Sequence, residues 1–301
     1  MKQSLVNALW RRARETADWA SVGAARLGGT AAVEAFDGEP RVALLSVSFN
    51  TRELTKLMLL SLADQAFAKE LQQVVLVDNR SSDGSQALLE PLAQRSGILY
   101  ASNPGSTSHG VGLRYAIDCL ERAESGLPAS RQANVFLIVD TDIIFLRPDT
   151  LTLGLEAMRS TDAGLLGELQ FDLGEPYAHP CCLFVRRDAY HDARVWPFVD
   201  HGAPALWLQR SLRCAGRRIG DFPLRSENHI VHRGRGSIAG VNRLGIQHAY
   251  ATVRDTAHFH GNPNGPALWQ AAEARHAAHL GEANDAAAID YISAALSGLQ
   301  R

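Results

Sequence analysis

Two aspartates, Asp140 and Asp142, stand one residue apart where the apolar run "NVFLIV" ends. Carboxylates there could hold Mg²⁺ or Mn²⁺, hard cations that keep several waters and bind through a few carboxylates plus ligand phosphates. Such a cation would neutralise a departing diphosphate, a Lewis-acid assistance to a leaving group. At a strand end, where the chain turns, one carboxylate can face the cation while the other reaches ribose or cation-bound water. Other reactive side chains are Asp78 at the end of "VVLVD", His229 and His232 in "ENHIVHRGRGS", and His258 and His260 in "HFHG". An Asp-x-Asp alone occurs by chance in a chain of this aspartate content, so its position must carry the weight.

The elements that would position these residues follow a regular rhythm from residue 41. "RVALLSVSF", "QQVVLVD", "ILYAS" and "VFLIVD" read as buried strands, being apolar, short and β-rich. Helical stripes separate them: "ELTKLMLLSLADQA", "GSQALLEPLAQRSG" closed by Gly97, and a third from about Gly112 to Arg122. Alternation about every 30 residues calls for a parallel sheet with helices on both faces, because parallel strands require crossover connections. Ligands bind such sheets beyond the carboxyl ends of the strands. The segments found there, "NTRE", "DNRSSDGS", "SNPGSTSHG" and "DTD", are all polar and should converge on one edge. Beyond Asp142 the pattern loosens. "IIFL", "AGLLGELQF" and "CCLFVRR" read as strands, "PALWLQRSLRCAG" as a helix ended by Gly216, and the Ala-rich C-terminus as helical.

Composition bounds the partners. The chain has 301 residues, 46% apolar and 21% charged, with 30 Lys plus Arg against 32 Asp plus Glu. This balance gives no global attraction to nucleic acid. Cys119, Cys181, Cys182 and Cys214 form no Cys-x-x-Cys pair, and reduced thiols in a cytoplasmic protein are the expectation. No apolar run reaches the roughly 20 residues of a membrane-spanning helix. The N-terminal "MKQSLVNALWRRARETADWA" has helical spacing beside a basic "RRAR". It either packs on its own domain or a second subunit, which would make a homo-oligomer, or lies peripherally on the inner face of an anionic membrane.

"VALLSVSFNTRELTKLMLLSL", "VVLVDNRSSDGS" and "FLIVDTDIIFL" together resemble the family 2 glycosyltransferases, enzymes of the GT-A fold, rhamnosyltransferase-like relatives among them. The likeness is good over residues 41 to 146, weaker to about 237, and absent in the first 40 and last 60. It implies a mostly parallel sheet flanked by helices. An N-terminal helical extension would span 1–40 and a GT-A catalytic domain 41–240. Within that domain, 41–146 would bind the nucleotide sugar and 147–240 the acceptor, with a helical tail over 241–301. The implied activity is metal-dependent, inverting transfer of a sugar from a UDP- or dTDP-linked donor to a hydroxyl of a glycan, lipid-linked glycan or natural product.

Carried over by residue, the resemblance sets Phe49, Asn50 and Arg52 around the nucleotide base, with Asp78 accepting the pyrimidine N3 proton. Asn103 and Gly105 match a segment that closes over the nucleotide sugar, although His109 and Arg114 stand where relatives often have a second asparagine. Asp140, Asp142 and His232 would hold Mn²⁺ or Mg²⁺, and Arg233 and Arg235 would meet the diphosphate. Asp83 reads as turn and cap chemistry, and Arg80 either as a phosphate contact or as a surface residue. His258 and His260 are either acceptor-site or surface residues. A zinc site built on His229 and His232 is the competing reading of that pair.

The pattern departs from the family at the general base. An acidic pair is expected near "WPFVDHGAPALWLQRSL", where only Asp200 is acidic. Asp200 is either the base or a capping residue, Glu168 is the next candidate, and Asp172 a third. A non-catalytic nucleotide-sugar-binding domain or partner subunit, or a sugar nucleotidyltransferase, are the alternatives. The latter should carry a Gly-rich, basic loop after the first strand, which "SFNTRE" is not.

Overall fold

The computed structural model describes residue 36 and residues 38–65, 70–103, 108–171, 175–199, 204–234 and 258–297. The expected alternation opens the domain as β1 (Val42–Ser48), α1 (Arg52–Ala63), β2 (Leu71–Asp78), α2 (Ser85–Ser96), β3 (Leu99–Ser102), α3 (His109–Ala123) and β4 (Val135–Val139). There follow β5 (Ile143–Phe145), α4 (Thr150–Thr161), β6 (Leu165–Gly167), β7 (Leu169–Gln170), β8 (Tyr177–Ala178) and β9 (Cys182–Arg186). The chain continues through α5 (Arg187–Tyr190), α6 (Leu206–Cys214), β10 (Ile219–Asp221), β11 (Ile230–His232), α7 (Gly265–Arg275) and α8 (Asp285–Leu296).

Seven strands form one sheet in the order β10-β6-β9-β4-β1-β2-β3. All neighbours are parallel except β9, which runs antiparallel to both β4 and β6. The fold is therefore a mostly parallel α/β sheet flanked by helices. Alternation along each strand divides the core between its faces. Val42 and Leu44 of β1 join Val135, Leu137 and Val139 of β4 beneath α1, α2, α4 and α8. Ala43, Leu45 and Val47 join Phe136 and Ile138 beneath α3 and α6.

Three local readings change. Helix α3 begins at His109, a turn earlier than about Gly112, because the Ser108 hydroxyl caps it by accepting the Val111 amide at 3.4 Å. "IIFL" forms β5 outside the main sheet, paired antiparallel with β11 so that Ile143 faces His232. "AGLLGELQF" divides into β6 in the main sheet and β7, whose partner is β8.

The last two helices pack on the domain. Ala288, Ile289, Ile292 and Leu296 of α8 are buried in the same core as the strands. Trp269 of α7 packs with Leu57, Ile144 and Val231. Nearly all of the expected N-terminal extension, residues 1–35 and 37, and the boundary near residue 240 fall outside the described residues, as do Gly105, Asp172, Asp200 and Arg235. No described helix is long and apolar enough to cross a membrane.

Candidate active site

The tips of β1, β2 and β3 are tied into one edge by their own polar side chains. Asn79 donates its amide N–H to the Ser48 carbonyl (2.8 Å), and Asn103 donates its own to the Asp78 carbonyl (2.8 Å). Asn103 Nδ2 donates to Asn79 Oδ1 (2.8 Å), and Asn79 Nδ2 donates onward to the Ser108 carbonyl (2.9 Å). Gly112 brings α3 against this ladder, since a Cβ there would lie 2.7 Å from Val47 Cγ1 and 2.8 Å from Asn79 Nδ2. On the other side, Asn50 sits in the left-handed region at φ 53°, and its Oδ1 accepts the Ser82 amide at 2.7 Å. Asp83 accepts the Arg52 amide (2.8 Å) and the Ser85 amide (3.1 Å), so one carboxylate serves the opening turns of α1 and α2.

Asp78 ends β2 as a buried carboxylate. Its Oδ2 accepts the Ser81 amide at 2.9 Å, whereas Oδ1 is buried without a hydrogen-bond partner. Burial, outweighing the Ser81 hydrogen bonds, raises its pKa above the ordinary value. Phe49 is half-buried immediately beyond β1.

Arg52, expected at the base, is committed elsewhere. Its guanidinium pairs with Glu53 and with Asp285 of α8. Lys56, fully buried one turn later, lies 2.7 Å from Asp285 and 3.0 Å from Glu53. The two cations bind α8 to α1, so Arg52 here holds elements together.

Asp140, Asp142 and His232 form one cluster whose candidate ligand atoms all lie within 4.8 Å of one another. Both carboxylates share this cluster with the imidazole. The chain turns at Thr141, and β11 pairs with β5 to bring His232 Nε2 to 3.2 Å from Asp142 Oδ1 and 3.9 Å from Asp140 Oδ2. The cluster is fixed from beneath, where Thr141 and Thr51 share a hydroxyl hydrogen bond of 3.1 Å. The Asp140 amide donates to the Cys181 carbonyl and that of Arg233 to the Asp142 carbonyl, each at 2.9 Å. Burial foremost, then the charge of Asp142, raises the Asp140 pKa against the pull of His109 and His232. Burial opposes the charged form of His232, yet Cys181 and Asp142 hold its pKa well above the ordinary value. A proton on this imidazole thus balances the acids where a divalent cation could, and two carboxylates with one imidazole suit Mn²⁺ or Mg²⁺. Asp140 Oδ1, buried without a hydrogen-bond partner, fits the same role.

His109 joins the site from the first residue of α3, its Nε2 3.4 Å from Asp140 Oδ1. In the sequence this residue stands out only as a departure from the family. His179, Cys181 and His260 also gather at His232, and none was singled out as a ligand. The spacing His179-Pro180-Cys181 before an apolar strand was the signal available.

The remaining candidates are placed apart. Glu168 Oε2 accepts the backbone amide of Arg225 and lies 3.3 Å from its Nε, so this carboxylate clamps the segment before β11. His229 is buried against Phe222 (ring centroids 4.9 Å), beside Arg147 (3.4 Å) and Thr150, and takes no part in the His232 cluster. The zinc half-site of His229 with His232 is therefore not formed.

No family model matches this chain, and neither does any curated protein. Solved structures do. The mannosyltransferase PcManGT from Pyrobaculum calidifontis, solved with GDP-Man and Mn²⁺, superposes with a TM-score of 0.53 at 19% identity, covering 99% of this chain and 86% of that one. TarS 1-349 from S. aureus gives 0.45 at 14% identity, over 86% and 90% of the two chains. Glucosyl-3-phosphoglycerate synthase from Mycobacterium tuberculosis, with Mn²⁺, UDP and glucosyl-3-phosphoglycerate, gives 0.44 at 13%, over 73% and 88%. The sheet order, its one reversed strand and the similarity to the mannosyltransferase together make this a GT-A fold.

Proposed function

We propose that the chain is a metal-dependent glycosyltransferase that moves a sugar from a nucleoside-diphosphate donor to a hydroxyl acceptor. The observation that carries this reading is the juxtaposition, on one sheet edge, of the Asp140–Asp142–His232 cluster with the buried carboxylate of Asp78. Asp140, Asp142 and His232 would hold Mn²⁺ or Mg²⁺. When bound, that ion supplies Lewis-acid stabilisation of the departing diphosphate. Asp78 Oδ1 accepts the ring N–H of the base, a partner that this buried oxygen otherwise lacks. Uracil and thymine offer that proton at N3, which favours a UDP- or dTDP-sugar. Asn50 and Phe49 border the base, Asn103 and Gly105 the donor's ribose and sugar, and Arg233 and Arg235 the diphosphate.

Inversion requires a base that deprotonates the acceptor hydroxyl while the anomeric carbon is attacked opposite the leaving group. Asp200 is the proposed base, because the tie to Arg225 gives Glu168 a structural task. Asp200→Asn should leave donor affinity intact and slow transfer by about 10² to 10⁴. Unchanged turnover would return the role to Glu168. A cytoplasmic setting completes the proposal and is supported by the four free thiols.

The test of the whole reading is a thermal-shift panel of UDP-, dTDP- and GDP-sugars with and without Mn²⁺. A bound donor stabilises the folded chain by mass action, about 2.7 kcal/mol at a concentration 100 times Kd. Stabilisation by one nucleotide, dependent on Mn²⁺, is the expected outcome. No shift with any donor would end the proposal.

A further inference from the structure

A second group of donors adjoins the aspartate cluster and shares His232 with it. His179, Cys181 and His232 also place one candidate ligand atom each within 4.8 Å of one another. Their chemistry differs from that of the aspartate cluster, since a thiol and two imidazoles are borderline-soft and include no carboxylate. Cys181 is a free thiol, 2% exposed, in the turn leading into β9. Its backbone fixes both sides of the group. The Cys181 carbonyl accepts the Asp140 amide at 2.9 Å, and the Cys181 N–H donates to His179 Nδ1 at 3.2 Å. That nitrogen is therefore unprotonated, and its one lone pair, engaged by the Cys181 amide here, would pass to a cation only as that hydrogen bond is given up.

A second observation points to a ligand. His232 is 6% exposed, and its Nδ1 is buried with no hydrogen-bond partner, while its Nε2 faces Asp142 at 3.2 Å. Buried polar atoms are nearly always satisfied, so an orphaned one beside a thiol and an imidazole calls for an occupant. The His260 ring closes the group, stacked on His232 at 4.3 Å between centroids and edge-on to His179 at 4.4 Å.

We propose that His179, Cys181 and His232 bind a borderline-soft divalent cation of the zinc class, at a position adjoining the hard-cation site and sharing His232 with it. Three protein ligands would leave one tetrahedral position for water or another ligand. The transferase reading is not needed for this site, and either can fail without the other.

The experiment uses the full chain, stripped with a chelator and titrated with Co²⁺ and Zn²⁺. Wild type and Asp142→Asn should both show the near-ultraviolet thiolate-to-cobalt charge-transfer absorption, and Cys181→Ser should lack it. Equilibrium dialysis should show zinc affinity reduced by at least about tenfold in Cys181→Ser and in His179→Asn. The second variant keeps the thiol and carries the test if the first does not fold. Absence of the band in wild type, its persistence in Cys181→Ser, or unchanged zinc affinity in both variants would overturn the site. Mn²⁺-dependent nucleotide binding, followed in parallel, should be lost in Asp142→Asn and kept in Cys181→Ser. That arm reports on the transferase reading alone.

Discussion

At the scale of single residues, two acids have separable tasks. Asp142→Asn should remove Mn²⁺-dependent nucleotide affinity while leaving the fold intact, measured by calorimetric titration with and without the ion. Asp78→Asn should weaken the nucleotide by about 10- to 100-fold in Kd, the value of one charge-assisted hydrogen bond of about 1.5–3 kcal/mol. The same change should alter pH dependence. Burial raises the Asp78 pKa, so the folded chain keeps a proton that the unfolded chain releases. Stability without nucleotide therefore falls as pH climbs from the ordinary carboxylate value of 3.8 through the raised one, and the fall should be shallower in Asp78→Asn. Denaturant unfolding between pH 3.5 and 7 checks the slope. Asp78, Asp140 and Asp142 stand out in sequence because each closes or follows an apolar run, and His232 through the family resemblance of "HRGRGS". His179 and Cys181 do not, and His260 does so only as an acceptor-site or surface residue, because only tertiary pairing brings these segments to His232.

At the scale of elements, helix α3 reaches the sheet edge only because residue 112 has no side chain. Gly112→Ala would press a methyl group into Val47 and Asn79, costing about 1–3 kcal/mol and loosening the asparagine ladder. Unfolding midpoints and nucleotide affinity should fall together. The contact between α1 and α8 is electrostatic at its centre. Asp285→Ala would leave Lys56, fully buried, and Arg52 with Glu53 as their remaining carboxylate, a loss on the order of 3 kcal/mol in a denaturant melt. Strands β1 to β4 were readable from apolar runs of strand length, and their parallel order from the helices between them. The reversed direction of β9 was not, since an apolar strand carries no mark of its direction. The resemblance alone places Arg52 at the base, and local sequence carries no sign of its actual partner. Its partner Asp285 lies 233 residues further on.

At the scale of the whole molecule, the C-terminal helices complete the core. Ile289, Ile292 and Leu296 are buried among strand and helix residues from the first half of the chain. Burial of three such side chains is worth about 5 kcal/mol or more, comparable with the net stability of a typical domain. A chain ending before residue 285 should therefore be aggregated or protease-sensitive, which limited proteolysis would show against full-length protein. A truncated chain that resists protease and binds nucleotide would show α8 to be dispensable.

Strand β9 runs against its neighbours, and so its leading end, rather than its trailing end, meets the edge where Asp140 lies. The hairpin just upstream is zipped at its base by Leu169 opposite Ala178 and Gln170 opposite Tyr177. Between those rungs Glu175 is held by Arg210 and Arg213, which ties the hairpin to α6. Glu175→Ala should therefore loosen the approach of α6 to the hairpin while leaving the β4 and β9 registers unchanged, which hydrogen exchange would show.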